Sequence, residues 1–294
     1  MAIIDIKSIA DLHEIAGLGK PTHPLVAAIE MTGVRQPTPS NSSYRLGCYS
    51  ILCKQYIGQL KYGQSYYDFG EGSLMFTAPG QVMTPSPGDY VEQGWGLFFH
   101  PDLINNSPLG RKIIDCSFFH YATNEALFVT EEEKQILTTC FDNIRKEYSQ
   151  RIDKHTNSLI QSNIALLLDY CTRFYDRQFY THEKVNTDMV QQFEKLLKDY
   201  FAQEHTALPG VAYFAKQLHL SPNYLSDLLQ RFTGKTTQEH IHLQVVDMAK
   251  SLLWSTEKNI SEIAYSLGFE HASHFTRLFK QKTGYAPSEF RRLN

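Results

Sequence analysis

VAYFAKQLHLSPNYLSDLLQRFTG, residues 211–234, is echoed about fifty residues later by ISEIAYSLGF (260–269), FTRLFK (275–280) and the pair Thr283-Gly284. Ala215 matches Ala264 and Leu218 matches Leu267 at an offset of 49. Leu225 matches Phe275, Leu228 matches Leu278 and Gly234 matches Gly284 at an offset of 50. One extra residue in the second turn accounts for the slip. Each copy reads as helix, tight turn, helix. Small Ala215 and Ala264 suit a close helix crossing, and Leu218 and Leu267 close the first helix on the core. Ser221 is placed to cap the second helix of the first copy, with Pro222 at its first position. In the second copy Gly268 supplies the turn. Leu225, Leu228, Leu229 and Phe232 recur at core spacing. Phe275, Leu278 and Phe279 repeat that stripe, and Gly234 and Gly284 stop the helices.

Rotation by about 100° per residue turns Asn223, Asp227 and Gln230 outward on the second helix of the first copy, with Tyr224, Ser226 and Arg231 at the flanks. In the second copy it turns Ser273, Arg277 and Lys280 outward, with His274, Thr276 and Gln281 flanking. Hydrogen-bonding side chains of this kind read base edges and phosphates. A solvated surface helix has the same apolar-in, polar-out pattern, so the repeated constellation says more than any one member. A helix joins the copies. Thr236 and Glu239 have capping-box spacing, Ile241, Val245, Met248 and Leu252 form its expected buried stripe, and it ends near Ser255. Some eighteen residues at roughly 1.5 Å each give about 27 Å. Successive major grooves on one face of DNA lie about 34 Å apart. A rigid spacer of this length, plus the widths of the units, lets one chain set two recognition helices in adjacent grooves.

The first half has a different rhythm. Tyr44 to Leu52 and Gly72 to Thr77 read as short strands. Asp68-Phe69-Gly70-Glu71-Gly72, Ala78-Pro79-Gly80 and Ser86-Pro87-Gly88-Asp89 read as turns. Closely spaced turns and many aromatics point to a small sandwich or barrel. Thr130-Glu131-Glu132-Glu133 then starts a helix over 131–149, with Ile136, Cys140, Ile144 and Tyr148 every four residues. A second helix over 157–175 carries Ile160, Ile164, Leu167 and Cys171 on one stripe. These two helices either pack on their own domain or form a dimer seam. Asp176 to Asp188 is polar without a clear period and reads as a linker.

The C-terminal stretches strongly resemble the DNA-binding domain of the AraC/XylS family of transcription regulators. LHLSPNYLS (218–226), ISEIAYSLGF, FTRLFK and TGYAPSEFR (283–291) carry the resemblance. The N-terminal half is similar, more loosely, to the cupin-like sensor barrel of many members. The expected fold class is therefore α+β in two domains. Residues 1–180 would form a cupin-like β-barrel with two trailing helices, and 185–294 an all-α domain with two helix-turn-helix motifs joined by a linker helix. The resemblance implies an effector pocket in the barrel and homodimerisation through helices 131–149 and 157–175. Double-stranded DNA is the expected partner, with RNA polymerase if the protein activates transcription. DNA contact is carried over to Asn223, Tyr224 and Asp227 and to Ser273, His274, Thr276 and Arg277. Ser221, Ser226 and Lys280 complete the candidate DNA-binding set. Asp227 departs from the family, where a basic or neutral residue is common. A carboxylate is repelled by phosphate, though it can accept from a cytosine amino group, so the first unit is expected to bind more weakly or with another preference.

Composition agrees without deciding. The chain has 294 residues, 42% hydrophobic and 20% charged, with a net charge of −3, which suits a two-domain globular protein. From Thr206 to Asn294 there are ten Lys and Arg against seven Asp and Glu; elsewhere the tally is 18 against 24. Only the tail is basic, and only mildly. No secretion signal or membrane span is read. Five scattered cysteines, none in a Cys-x-x-Cys pair, fit a reducing cytoplasm.

Catalysis finds little support. A metal-binding cupin needs clustered histidines and a carboxylate, yet only His100 and His120 lie between Tyr44 and Thr130. His271 and His274 could share a ligand at i, i+3, but their place at a recognition-helix start favours surface or DNA contact. His240 and His242 point to different sides of one helix. Cys48 and Cys53 read as buried thiols rather than oxidant sensors. No nucleophile elbow, Walker loop or dinucleotide fingerprint occurs. No catalytic residue, metal or cofactor is expected. Tyr44, Tyr49, Tyr56, Tyr62, Tyr66, Tyr67, Phe69 and Phe76 make the first half aromatic-rich. Tyr49, Tyr66 and Phe76 are the candidate ligand-binding residues, with most of the set expected in the core. Two rivals stay open: a regulator whose barrel only dimerises, and a small-molecule enzyme fused to a DNA-binding domain.

Overall fold

Ile51, Leu52 and Cys53 are buried in succession rather than alternately, which happens when both faces of a strand are covered. They lie in the middle strand of a five-stranded sheet. The computed structural model describes residues 2–31, 34–35, 42–55, 59–62, 65–68, 72–83, 90–91, 93–122, 125–203 and 207–292. It divides into two units, Met1–Thr181 and His182–Asn294.

The elements of the first unit begin with β1 (Ala2–Ile6), α1 (Ile9–Ile15), β2 (Val26–Glu30), β3 (Val34–Arg35), β4 (Ser42–Leu46) and β5 (Tyr49–Gln55). There follow β6 (Gln59–Tyr62), β7 (Ser65–Asp68), β8 (Ser73–Thr77), β9 (Val82–Met83), β10 (Tyr90–Val91) and β11 (Gln93–Phe99). After these come α2 (Pro101–Ile104), α3 (Pro108–Lys112), β12 (Leu127–Phe128), α4 (Glu131–Ser149) and α5 (Thr156–Thr181). The large sheet has the order β12-β8-β5-β11-β2, with Ile51 opposite both Leu97 and Phe76. A second sheet runs β1-β4-β9, with β1 and β4 parallel. Leu52, Phe98 and Ala27 from the large sheet share one core with Ile6, Leu46, Ile9 and Leu12 from β1, β4 and α1.

Two sheets thus meet across a core; β3 with β10 and β6 with β7 form separate ribbons. The unit is mixed α+β, and among the described residues the sheets do not close into a barrel. The passage from one sheet to the other is made at Gly47. The stretch Tyr44–Leu52, expected as one strand, breaks there into β4 and β5, which belong to different sheets. Gly47 N–H donates to Ile6 O at 2.7 Å, and a Cβ at 47 would stand 2.9 Å from Lys7 O. That close approach lets the chain turn the corner. Two expected turns, around Phe69 and around Pro87, lie outside the described residues.

The other face of the large sheet carries α4 and α5. Trp95 stacks on Phe141 of α4 at 4.7 Å, and Phe76 meets Tyr175 of α5 at 6.0 Å. Thr130 and Glu133 form the expected capping box of α4. Its buried stripe is Leu137, Cys140, Phe141 and Ile144, and Ile136 is 38% exposed. The α5 stripe of Ile160, Ile164, Leu167 and Cys171 is fully buried. This helix outruns the expected end at Tyr175 and reaches Thr181. Its last turns are held from outside: Gln178 accepts from Phe128 N–H at 2.7 Å and donates to Ala126 O at 3.1 Å. Arg177 donates to Phe128 O and to both carboxylate oxygens of Glu133. The expected linker 176–188 is consequently helical, interrupted only at His182.

The second unit contains α6 (Glu183–Phe201), α7 (Val211–Gln217), α8 (Pro222–Thr233), α9 (Thr237–Ser255), α10 (Ile260–Ser266), α11 (Ala272–Thr283) and α12 (Pro287–Arg292). Phe193 of α6 is fully buried against Phe214 and His240. The joining helix α9 has the expected capping box and end, but it buries Ile241, Val245, Val246, Ala249 and Leu253. Met248 and Leu252 are only half-buried, so the stripe drifts one residue along the helix toward its partners. No described helix is long and apolar enough to cross a membrane.

Candidate nucleic-acid interface

The two helix-turn-helix units are tied by the same hydrogen bonds. After α7, His219 takes a left-handed φ of 57°. Leu220 N–H donates to Ala215 O at 2.9 Å and His219 N–H to Lys216 O at 3.2 Å. After α10, Gly268 takes φ 85°. Phe269 N–H donates to Ala264 O, and Gly268 N–H to Tyr265 O, both at 3.0 Å. Each pair is a Schellman ending, which satisfies helix carbonyls and reverses the chain. The slip follows directly. Ser221 is the N-cap of α8 and His271 that of α11, so Glu270 is the additional residue of the second turn. Ser221 Oγ accepts from Tyr224 N–H at 3.2 Å, whereas His271 makes no side-chain cap.

The copies then converge again. Gly234 and Gly284 end α8 and α11 with φ 74° and 83°. Thr233 Oγ1 donates to Leu229 O at 2.7 Å and Thr283 Oγ1 to Phe279 O at 2.8 Å. Glu239 accepts from Thr236 N–H at 2.9 Å and Glu289 from Ala286 N–H at 2.8 Å. The repeat therefore spans three helices, α7–α9 and α10–α12, one more than the motif spacing indicated. The matching pairs Thr236/Ala286 and Glu239/Glu289, at the same offset of 50, were the available signal.

Five of the ten candidate contact residues are exposed: Asn223 on α8, and Ser273, His274, Arg277 and Lys280 on α11. Gln230 of α8 is exposed as well. Asp227 is half-buried. Tyr224 is corrected. It is 1% exposed and belongs to the core, because the α8 stripe is Tyr224, Leu225, Leu228 and Leu229, with Phe232 only half-buried. Several hydroxyls act within the domain. Ser221 serves the cap, Ser226 Oγ donates to the buried Thr237 Oγ1 at 3.2 Å, and Thr276 Oγ1 donates to Ala272 O at 2.9 Å. Arg277 and Lys280 form no ion pair among the described residues, so their charge is available to a partner.

His240 and His242 differ in their surroundings. Thr233 Oγ1 lies 2.7 Å from His240 Nε2, and burial holds the His240 pKa below its usual value, helped by Lys235. Burial and then Lys282 lower that of His242. His271 and His274 meet edge to face with ring centres 5.4 Å apart. No group of three metal-ligating side chains occurs among the described residues.

In the first unit, Tyr49 stacks on Phe99 at 5.2 Å and meets Phe119 at 5.1 Å, and Phe76 meets Phe119 at 5.5 Å. Two of the three candidate ligand residues are thus joined through Phe119 in an aromatic core. The side chain of the third, Tyr66, lies outside the described residues. Phe76, Phe118, Tyr121, Tyr175 and Glu125 border a crevice of about 10 Å³, the space of one water. All five thiols are buried. Burial pushes Cys48 and Cys53 up to about 12 and Cys116 to about 11.

Comparison with known proteins agrees with this geometry. A helix-turn-helix domain family matches residues 214–293. The chain is 24% identical over 230 residues to an uncharacterised HTH-type transcriptional regulator, YijO, of Escherichia coli K12, covering 76% of this chain and 78% of that one. It is 28% identical over 209 residues to the bifunctional transcriptional activator and DNA repair enzyme AdaA of Bacillus subtilis, covering 66% and 95%. The arabinose operon regulatory protein of Salmonella typhimurium is 34% identical over 95 residues, 32% of this chain and 33% of that one.

Proposed function

We propose that the chain is a transcriptional regulator with an AraC-type DNA-binding domain, which reads DNA with both helix-turn-helix units under the control of a small-molecule effector. The helix-turn-helix family match over residues 214–293 and the likeness to the arabinose operon regulatory protein support this. The observation that carries the reading is the duplicated unit: two turns closed by the same bonds, each presenting a helix with hydrogen-bonding side chains outward. The joining helix α9, 19 residues long, spans about 28 Å, which suits units set in successive grooves. Asn223 and Asp227 would read bases from α8, and Ser273, His274, Arg277 and Lys280 would contact DNA from α11. Phosphates favour the second unit, where Arg277 and Lys280 stand against Asp227 and Gln230 of the first. Such a protein works where the DNA is, in the cytoplasm. We place the domain boundary at residues 181–184.

Homodimerisation through α4 and α5 is supported by Leu159 and Leu166, which are 44% and 45% exposed on the outer side of α5 at a seven-residue spacing suited to a helix–helix seam. An effector held by the first unit would act by favouring one arrangement of the dimer over another. RNA polymerase is the further partner if the protein activates. The raised thiol pKa values oppose cysteine nucleophiles, so no catalytic role is assigned. Mobility-shift and genome-wide binding measurements test the central reading: a specific site should emerge, and binding indifferent to sequence would sink it. A thermal-shift screen tests the effector, and no stabilisation by any metabolite would leave dimerisation as the role of the first unit.

A further inference from the structure

Beside α11 there is an open cleft of about 220 Å³ lined by His242, Phe269, His274, Arg277, Leu278 and Gln281. Its composition is one-sided. A guanidinium and two imidazoles line it, Phe269 and Leu278 form an apolar wall, and among the described residues no carboxylate lines it. Arg277 has no ion-pair partner among the described residues. His274 is in the first turn of α11, where the positive end of the helix dipole adds to the field. His242 comes from a different element, α9, so two helices contribute nitrogen-bearing side chains to one space.

We infer that this cleft is an oxyanion site, binding a phosphate or carboxylate group between Arg277, His274 and His242, with any apolar part of the ligand against Phe269 and Leu278. The planar guanidinium presents paired donors that match two oxygens of such a group. The volume is below the roughly 300–1,000 Å³ of pockets for drug-sized ligands, so the occupant is small. Two sources share this chemistry, a backbone phosphate of DNA and a free small anion. Occupancy of the cleft does not depend on DNA; only its effect on DNA binding rests on the proposed function.

The test uses the full chain and inorganic phosphate. The ring resonances of His242 and His274 are followed as sodium phosphate is added, and again with sodium chloride at equal ionic strength. Both rings should shift saturably with phosphate and not with chloride. Arg277→Gln, and Gln281→Glu on the exposed rim, should each weaken phosphate binding about ten-fold or more, as expected for loss or opposition of a charge-assisted contact. No saturable phosphate shift, or an equal shift with chloride, overturns the site, and it does so without bearing on DNA binding. Adding a specific duplex then separates the sources. Displacement of phosphate, with the two rings reporting a like environment, assigns the cleft to the DNA backbone. Simultaneous binding assigns it to a free anion. Either outcome supports an oxyanion site.

Discussion

The left-handed residue of the first turn is His219 and that of the second is Gly268, and their surroundings explain the difference. A Cβ at 268 would fall 2.6 Å from the carbonyl carbon of Ala207, which no side chain tolerates. Gly268→Ala should therefore destabilise the second unit by at least about 2 kcal/mol, from left-handed strain plus overlap. His219→Gly should stay within about 1 kcal/mol of the parent, since relief of strain offsets lost chain stiffness. Urea unfolding of both variants checks the pair; equal losses would show that backbone crowding is not the cause. Arg277→Ala should weaken specific duplex binding by about 1–3 kcal/mol while leaving the melting temperature in place. Tyr224→Ala should do the opposite first, lowering stability by about 3–5 kcal/mol as a buried aromatic is removed. A melting temperature unchanged by that substitution would return Tyr224 to the DNA-contact set.

Helix ends separate the two recognition helices and define α5. The N-terminus of α8 has Ser221 as a cap and that of α11 has no side-chain cap. Ser221→Ala should lose about 1 kcal/mol, and His271→Ser should gain a few tenths to about 1 kcal/mol, both read from thermal unfolding. The end of α5 depends on Gln178, which is 1% exposed and bonds both Phe128 N–H and Ala126 O. Removing that amide leaves buried backbone groups unmatched at about 1–3 kcal/mol each. Gln178→Ala should accordingly speed amide hydrogen exchange at Phe128 and fray the last turn of α5. Exchange at Phe128 as slow as in the parent would count against this account.

At the scale of the molecule, the units Met1–Thr181 and His182–Asn294 each have their own buried core. A fragment starting at His182 should fold cooperatively and retain DNA binding, with affinity falling steeply as salt rises because phosphate contacts release counterions. A fragment without a cooperative melt would mean the second unit needs the first. Across the chain, thiols buried and pushed as high as about 12 at Cys48 and Cys53 predict slow alkylation of the folded protein near pH 8, and rapid labelling of all five once it unfolds.

The amino-acid sequence by itself determined the repeat, the capping boxes at Thr130 and Thr236, the glycines that end α8 and α11, and the one-residue slip of the second turn. These depend on hydrogen bonds between groups a few residues apart, so local spacing is enough to read them. Only the tertiary structure decided which faces are buried and how far elements run. Tyr224 sits inside because the α8 stripe includes it. The α9 stripe drifts to Val246, Ala249 and Leu253. The end of α5 is set fifty residues away at Phe128, Gly47 divides one expected strand between two sheets, and His242 joins Arg277 at one cleft. Each of these is a contact between residues distant in the chain, and neither periodicity nor cap chemistry carries information about a partner that has yet to be brought near.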